Sequence, residues 1–206
     1  AELLDGLGFG QAQLARTVDE LSGGWKMRLN LACVLMAPSD LLLLDAGVEV
    51  NSLYTADVTR TLPVNGHYTD AQRRVYEAVL AAQEAGIAAC SAGNGFLDPH
   101  RAAIRVIAEF LAEIGVLPCS VEETLADDGG YHRRWMVHGT SHHLGLDVHD
   151  CAAARREKYR DAELLPGMVI TVEPGLYFKS TDLLVPEEYR GIGVRIEDDI
   201  LVTEGD

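Results

Sequence analysis

Four consecutive leucines, Leu41 to Leu44, end in an acid, Asp45, and follow the breaker Pro38-Ser39-Asp40. A short continuous apolar run of this kind predicts a buried strand with a carboxylate at its carboxyl end, within a mixed α/β (α+β) fold. A hairpin is expected next, with Asn51-Ser52 near its turn and Tyr54 to Thr61 as its second strand. The period-two rule puts Asp57 on one face with Thr55 and Thr59, opposite Ala56 and Val58. A polar face inside a small sheet points to a site.

The remaining elements read as scaffold around that sheet. Thr69-Asp70-Ala71-Gln72 has the form of a capping box and predicts a helix running to about Ala89. Asp98-Pro99 opens a second helix, with Ile104, Ile107, Leu111 and Ile114 at helical spacing before Gly115. Their apolar stripes are expected to be core. A turn-rich stretch covers 117–130, and strands are predicted at Met168 to Glu173 and Gly193 to Val202 from their Val and Ile content. Near the start, Leu21 to Leu29 reads as a glycine-bearing loop leading into an apolar helix, Leu29 to Met36. The single compositional seam lies near Asp45.

Length and charge exclude several classes of function. A chain of 206 residues is one domain, or one domain with a short appendage. A net charge of −15 repels phosphate backbones, so nucleic acid is not an expected partner. No apolar run approaches the roughly 18 residues of a membrane span. Cys33, Cys90, Cys119 and Cys151 are widely separated and form no CxxC pair, which suits cytosolic thiols and a cytoplasmic protein. The chain starts at Ala1 with nothing resembling a secretory signal and reads as a fragment.

Acids and histidines concentrate in a few strings: Asp45-Ala46-Gly47 through Asp57-Val58-Thr59-Arg60-Thr61, His138-Gly139-Thr140-Ser141-His142 through His149-Asp150, Thr171-Val172-Glu173-Pro174-Gly175, and Arg195-Ile196-Glu197-Asp198-Asp199. Carboxylates with one imidazole suit a hard or borderline divalent ion such as Mn²⁺, Co²⁺ or Zn²⁺. Four carboxylates are too many for one catalytic ion. Two adjacent cations would offset their repulsion, and a hydroxide held between them would be a nucleophile near neutral pH. Strand period places Val169, Thr171 and Glu173 on one face, and Arg195, Glu197 and Asp199 on another. His67, His100, His132 and His143 read as structural or surface histidines, and Asp147, Asp150, Asp198 and Asp199 as capping or surface acids.

In order, Leu43-Leu44-Asp45-Ala46-Gly47, Ala56-Asp57-Val58-Thr59-Arg60-Thr61, His138-Gly139-Thr140-Ser141-His142-His143-Leu144-Gly145, Thr171-Val172-Glu173-Pro174-Gly175-Leu176-Tyr177 and Arg190-Gly191-Ile192-Gly193-Val194-Arg195-Ile196-Glu197-Asp198-Asp199 closely resemble the catalytic domain of Xaa-Pro aminopeptidases, from about Leu41 to the end. The resemblance implies a pita-bread fold holding two divalent ions, manganese first, with Co²⁺ or Zn²⁺ as alternatives. By motif position Asp45 would bind one ion, His142 and Glu173 the other, and Asp57 and Glu197 both. His138 and His149 would contact substrate or stabilise the developing oxyanion. Arg195 would hold the ligand carboxylates, and Glu173 would also move a proton to the leaving group. The spacing from Asp45 to Asp57 is 12 where 11 is expected for the family, so the hairpin should carry an added loop residue or a bulge.

Upstream of Asp45 that resemblance ends, and the first half of the pita-bread domain is missing. Leu21-Ser22-Gly23-Gly24-Trp25-Lys26-Met27-Arg28-Leu29 through Leu44-Asp45 instead resembles the signature loop and Walker B strand of ABC-type ATPases of the F subfamily. No GxxxxGK[ST] loop is present, and Ala46 stands where that family's catalytic glutamate belongs, so ATP hydrolysis is not expected. The expected organisation is an ABC-like helical segment at 1–40 joined, as a chimera, to the carboxyl-terminal part of a metallopeptidase catalytic domain at 41–206. The first functional expectation is an aminopeptidase that removes the residue before a penultimate proline. A dipeptidase of the prolidase type, an inactive hybrid and an ABC-type ATP-binding fragment follow in that order. A homo-oligomer is compatible with this reading.

Overall fold

A computed structural model describes residues 2–204 and divides into two compact units, Ala1–Asp40 and Leu41–Asp206. The first unit holds α1 (Glu2–Gly6), α2 (Gln11–Leu14) and α3 (Gly23–Met36). Phe9 meets Trp25 edge-on with ring centroids 4.9 Å apart, and Arg28 lies over the same indole while donating to the carbonyl of Leu7 at 3.1 Å. Helix α3 starts at Gly23, so the expected glycine-bearing loop is helical from its third residue. Ser22, in extended geometry, occupies the N-cap, where serine is favoured, and the two glycines fill the first turn.

The second unit begins with the antiparallel hairpin β1 (Leu41–Glu49) and β2 (Thr55–Pro63), in register from Leu41 opposite Pro63 to Glu49 opposite Thr55. The nine pairs run without a bulge, and the loop 50–54 that joins them holds Leu53 at a φ of 70°. Two expectations for the leucine run are corrected. Asp45 lies in the middle of β1, because pairing with β2 carries the strand on to Glu49. The strand is covered on one face only: Leu44 is 41% and Val48 64% exposed, while Asp57, Thr59 and Thr61 on the opposite face of the hairpin are buried. Apolarity on both faces was a poor guide to burial because no third strand pairs with β1 among the described residues.

Helices α4 (Asp70–Ala88) and α5 (Asp98–Glu113) follow, then the short α6 (Val121–Leu125) inside the turn-rich stretch. Thr69 Oγ1 accepts from the amide of Gln72 at 3.2 Å and the Gln72 side chain accepts from the amide of Thr69 at 2.9 Å, which is the capping box expected from sequence. The facing stripes Val75 and Val79 on α4 and Ile104, Ile107 and Leu111 on α5 are buried in one cluster with Trp135 and Leu176. Each such side chain contributes about 1.5–3 kcal/mol by its removal from water.

Short strands β3 (Val169–Val172), β4 (Gly175–Tyr177), β5 (Gly193–Arg195) and β6 (Asp198–Leu201) complete the unit. β3 pairs with β6 and β4 with β5, both antiparallel. The single strand expected over Gly193 to Val202 is therefore two, in different ladders. Between them Glu197 forms an isolated antiparallel bridge with Thr59 of β2, and its amide donates to the Thr59 carbonyl at 3.1 Å. That bridge joins the hairpin to the other strands. No helix among the described residues is long and apolar enough to cross a membrane.

Candidate metal centre

Eight residues singled out from sequence, Asp45, Asp57, His138, His142, His149, Glu173, Arg195 and Glu197, line one cavity of about 960 Å³ in the second unit. Asp45 and Asp57 come from β1 and β2, the three histidines from the stretch 138–149, Glu173 from just after β3, and Arg195 and Glu197 from β5 and its link to β6. Asp57 faces inward from β2 with Gly47 opposite, where a Cβ would collide with the carbonyl of Ala56. His142 is held by a reciprocal pair: its amide donates to Thr171 Oγ1 at 3.1 Å and its carbonyl accepts from the amide of Thr171 at 2.9 Å. Its Nδ1 donates to the carbonyl of His143 at 3.1 Å, which leaves Nε2 as the free ligand atom.

That Nε2 lies 3.6 Å from Asp57 Oδ2 and 3.5 Å from Glu173 Oε1. Ligand atoms of Asp57, His142 and Glu197 all fall within 4.8 Å of one another, a group that could hold a metal ion. Asp45 stands at the edge of this cluster, half-exposed and ion-paired with the Arg195 guanidinium. Glu197 is 1% exposed; Thr59 Oγ1 donates to its Oε2 at 2.5 Å, while its Oε1 is buried with no hydrogen-bond partner. A buried carboxylate oxygen left unpaired costs about 1–3 kcal/mol or more, a cost that a cation held by Glu197 together with Asp57 and His142 would relieve.

The electrostatics agree with that fit. Burial, followed by the charge of Glu197, pushes the Glu173 carboxyl up to about 8. Burial raises Glu197 to about 7, against the lowering effect of the Thr59 hydroxyl. Asp57 is raised by burial and by the adjacent Asp45 carboxylate. Four acids crowded in a partly dry cavity resist ionising together unless positive charge offsets them.

His138 and His149 differ in how they are held. His138 has both ring nitrogens engaged: Nδ1 donates to the carbonyl of Gly139 at 2.7 Å, and Nε2 accepts from the Tyr177 hydroxyl at 2.7 Å. Burial lowers its pKa, consistent with a neutral ring. Gly175 permits this contact, since a Cβ there would lie 2.8 Å from the Tyr177 ring carbon Cζ. His149 stacks obliquely on His142, with ring centroids 4.4 Å apart.

Several residues near the cavity carry more than sequence reasoning assigned them. Asp199 is no surface acid: its Oδ2 accepts from the amide of Asp57 at 3.2 Å and its Oδ1 is buried without a partner. Its place on the same strand alternation as Glu197 was the available signal. Asp198 is neither a cap nor a free surface acid, being bound by Arg60 and Gln83, each at 2.6 Å. His100 and His132 also line the cavity; His100 bonds Thr140 Oγ1 at 2.8 Å, and burial lowers its pKa to about 4. Only their position in the folded chain reveals this.

Comparison with known proteins places the cavity in a lineage. The sequence profile of metallopeptidase family M24 matches residues 24–204. Xaa-Pro aminopeptidase 1 of Streptomyces coelicolor is 63% identical over 164 residues, covering 80% of this chain and 33% of that protein. The Xaa-Pro aminopeptidase of Escherichia coli is 46% identical over 169 residues, covering 82% of this chain and 37% of that protein. Among solved structures, Pseudomonas aeruginosa aminopeptidase PepP superposes with a TM-score of 0.76 at 39% identity, over 82% of this chain and 38% of that one. A zinc-substituted E. coli aminopeptidase P in complex with product gives a TM-score of 0.73 at 45% identity, over 80% and 36%. The chain spans about a third of the length of the relatives it matches.

Proposed function

This chain belongs to metallopeptidase family M24, its second unit carries part of the pita-bread fold, and from that premise we propose that it is a metal-dependent Xaa-Pro aminopeptidase. The observation that carries the proposal is the convergence of Asp45, Asp57, His142, Glu173 and Glu197 on one cavity, with Glu197 Oε1 buried and unpaired. Those five side chains would hold two divalent ions, manganese in our reading. Bound there, such ions would polarise the scissile carbonyl and bring the pKa of a water into the neutral range.

The chain's own groups then divide the remaining work. Arg195 holds Asp45 by its guanidinium and so orients that carboxylate. Glu173, whose Oε1 lies 3.5 Å from His142 Nε2, would carry a proton to the departing imino nitrogen of proline. His149 lies beside His142, where it would contact the substrate backbone. His138 would meet the developing oxyanion through Nε2 once its ring proton has moved there from Nδ1, with the bonds to Gly139 and Tyr177 released.

An aminopeptidase is favoured over a prolidase because relatives at 60% and 63% identity are named Xaa-Pro aminopeptidases. A cytoplasmic setting is supported by four free cysteines. The chimeric reading of residues 1–40 is supported by the unit boundary after Asp40, while the M24 match reaching back to residue 24 weighs against it. Sequencing the source DNA across the codons for Leu41 to Asp45 decides between them. Incubating the purified chain with Mn²⁺ and an Xaa-Pro peptide tests the activity. Metal uptake with release of the first residue supports the proposal, uptake without product supports an inert metal-binding hybrid, and no uptake refutes both.

A further inference from the structure

We infer that Thr59 is a positioning residue of the metal centre, whose single hydroxyl sets the orientation of Glu197 and of the Arg195 that holds Asp45. This inference rests on the reading of the cavity as a metal site. Thr59 faces inward from β2, directly opposite Asp45 in the β1 register, and is fully buried. Its Oγ1 lies 3.1 Å from Arg195 Nε and 2.5 Å from Glu197 Oε2.

The direction of each bond follows from chemistry. An arginine Nε–H can only donate, so the threonine oxygen accepts from it, and the hydroxyl proton is left for the Glu197 carboxylate. The guanidinium of Arg195 continues the chain by pairing with Asp45 through its other arm. One hydroxyl therefore couples Asp45 of β1 with Glu197 of the link between β5 and β6.

Backbone bonds make the coupling rigid. The Glu197 amide donates to the Thr59 carbonyl at 3.1 Å, and Arg60 NH1 donates to the Thr59 and Glu197 carbonyls at 2.9 and 2.7 Å. With the backbone of Glu197 fixed at Thr59 and Oε2 tied to the same residue, rotation about the last side-chain bond is arrested. The Glu197 carboxylate is then held beside Asp57 and His142 in the orientation found here, with Oε1 unpaired and a second lone pair of Oε2 free for a cation. Residues that orient metal ligands in this way commonly affect metal affinity about 10- to 100-fold.

The simpler alternative is that Thr59 is only a β-branched filler of a buried strand position, a part valine would play equally well. The test uses the full 206-residue chain with Thr59→Val and Thr59→Ser, titrated with Mn²⁺ by calorimetry well below the unfolding temperature of each. Thr59→Val should lose about 10- to 100-fold in Mn²⁺ affinity, and Thr59→Ser, which keeps the hydroxyl, should stay within about threefold of the parent. Thermal unfolding without metal is the control, since a filler role would move stability and leave affinity alone. Should Thr59→Val fail to fold, Thr59→Ala makes the same comparison. Parental affinity in the hydroxyl-free variant, or equal losses in Val and Ser, would overturn the inference while leaving the metal centre standing. A parent chain that takes up no Mn²⁺ would instead remove the metal centre, and the inference with it.

Discussion

Replacing Glu197 by glutamine should move stability and metal binding in opposite directions. The side chain is 1% exposed, and burial raises its pKa from 4.5 to about 7. An acid whose folded-state pKa lies above its unfolded one binds a proton more tightly in the folded chain. Its effect on stability is therefore nil below about pH 4.5, grows unfavourable as pH rises toward 7, and is constant above. At 1.36 kcal/mol per unit the shift corresponds to about 3 kcal/mol, which water in the open cavity reduces to about 2 kcal/mol. Glutamine keeps an oxygen for the Thr59 hydroxyl and offers amide hydrogens to the neighbouring carboxylates, so the variant escapes this cost. In a chelator at pH 8, Glu197→Gln should unfold about 6 °C above the parent, and near pH 4.5 the two should coincide. Adding Mn²⁺ should raise the parent and leave the variant almost unmoved, because a neutral amide is a poor ligand for a hard cation. Calorimetric unfolding at pH 5, 6.5 and 8, with chelator and with Mn²⁺, measures both effects. A variant no more stable than the parent in chelator at pH 8 refutes the burial argument. An equal Mn²⁺-induced rise in the two proteins refutes the ligand assignment.

Three further outcomes probe the scaffold. Asp182 accepts from Arg134 Nε and NH2 at 2.8 and 2.9 Å and from Trp135 Nε1 at 3.1 Å, and the Arg134 bonds lead in holding its pKa down to about 2. Its stabilising effect is thus complete above the unfolded pKa near 4 and is lost as pH falls through 2. Asp182→Asn should cost about 1–2 kcal/mol at pH 7, with the gap closing between pH 4 and pH 2 in urea titrations. Ile107→Ala, at a fully buried position between the two long helices, should cost about 2–5 kcal/mol by equilibrium denaturation with little change in Mn²⁺ affinity. Thr69→Ala removes the cap of α4 and should cost about 1 kcal/mol by the same measurement, with no effect on the cavity.

Helix positions were legible because their signals are local. The Thr69 capping box and the Asp98-Pro99 start each name a first turn within four residues, and α4 and α5 begin where those strings stand. The identity of the acids and histidines that meet was legible for a different reason. Ordered motifs carry a family's site in the chain itself, and all eight named residues line one cavity. Strand burial was not legible, since Leu41 to Leu44 has the same sequence whether or not a layer covers its even-numbered face.

The sequence by itself thus determined which residues are available to a metal site, and the two long helices that support the strands bearing them. Tertiary structure alone decided how those residues are held: the break between β5 and β6 that turns Glu197 toward Thr59, the buried place of Asp199, and the engagement of both His138 nitrogens. The physical reason is distance along the chain. Thr59 and Glu197 are 138 residues apart, and nothing in either local string encodes the hydrogen bond that joins them.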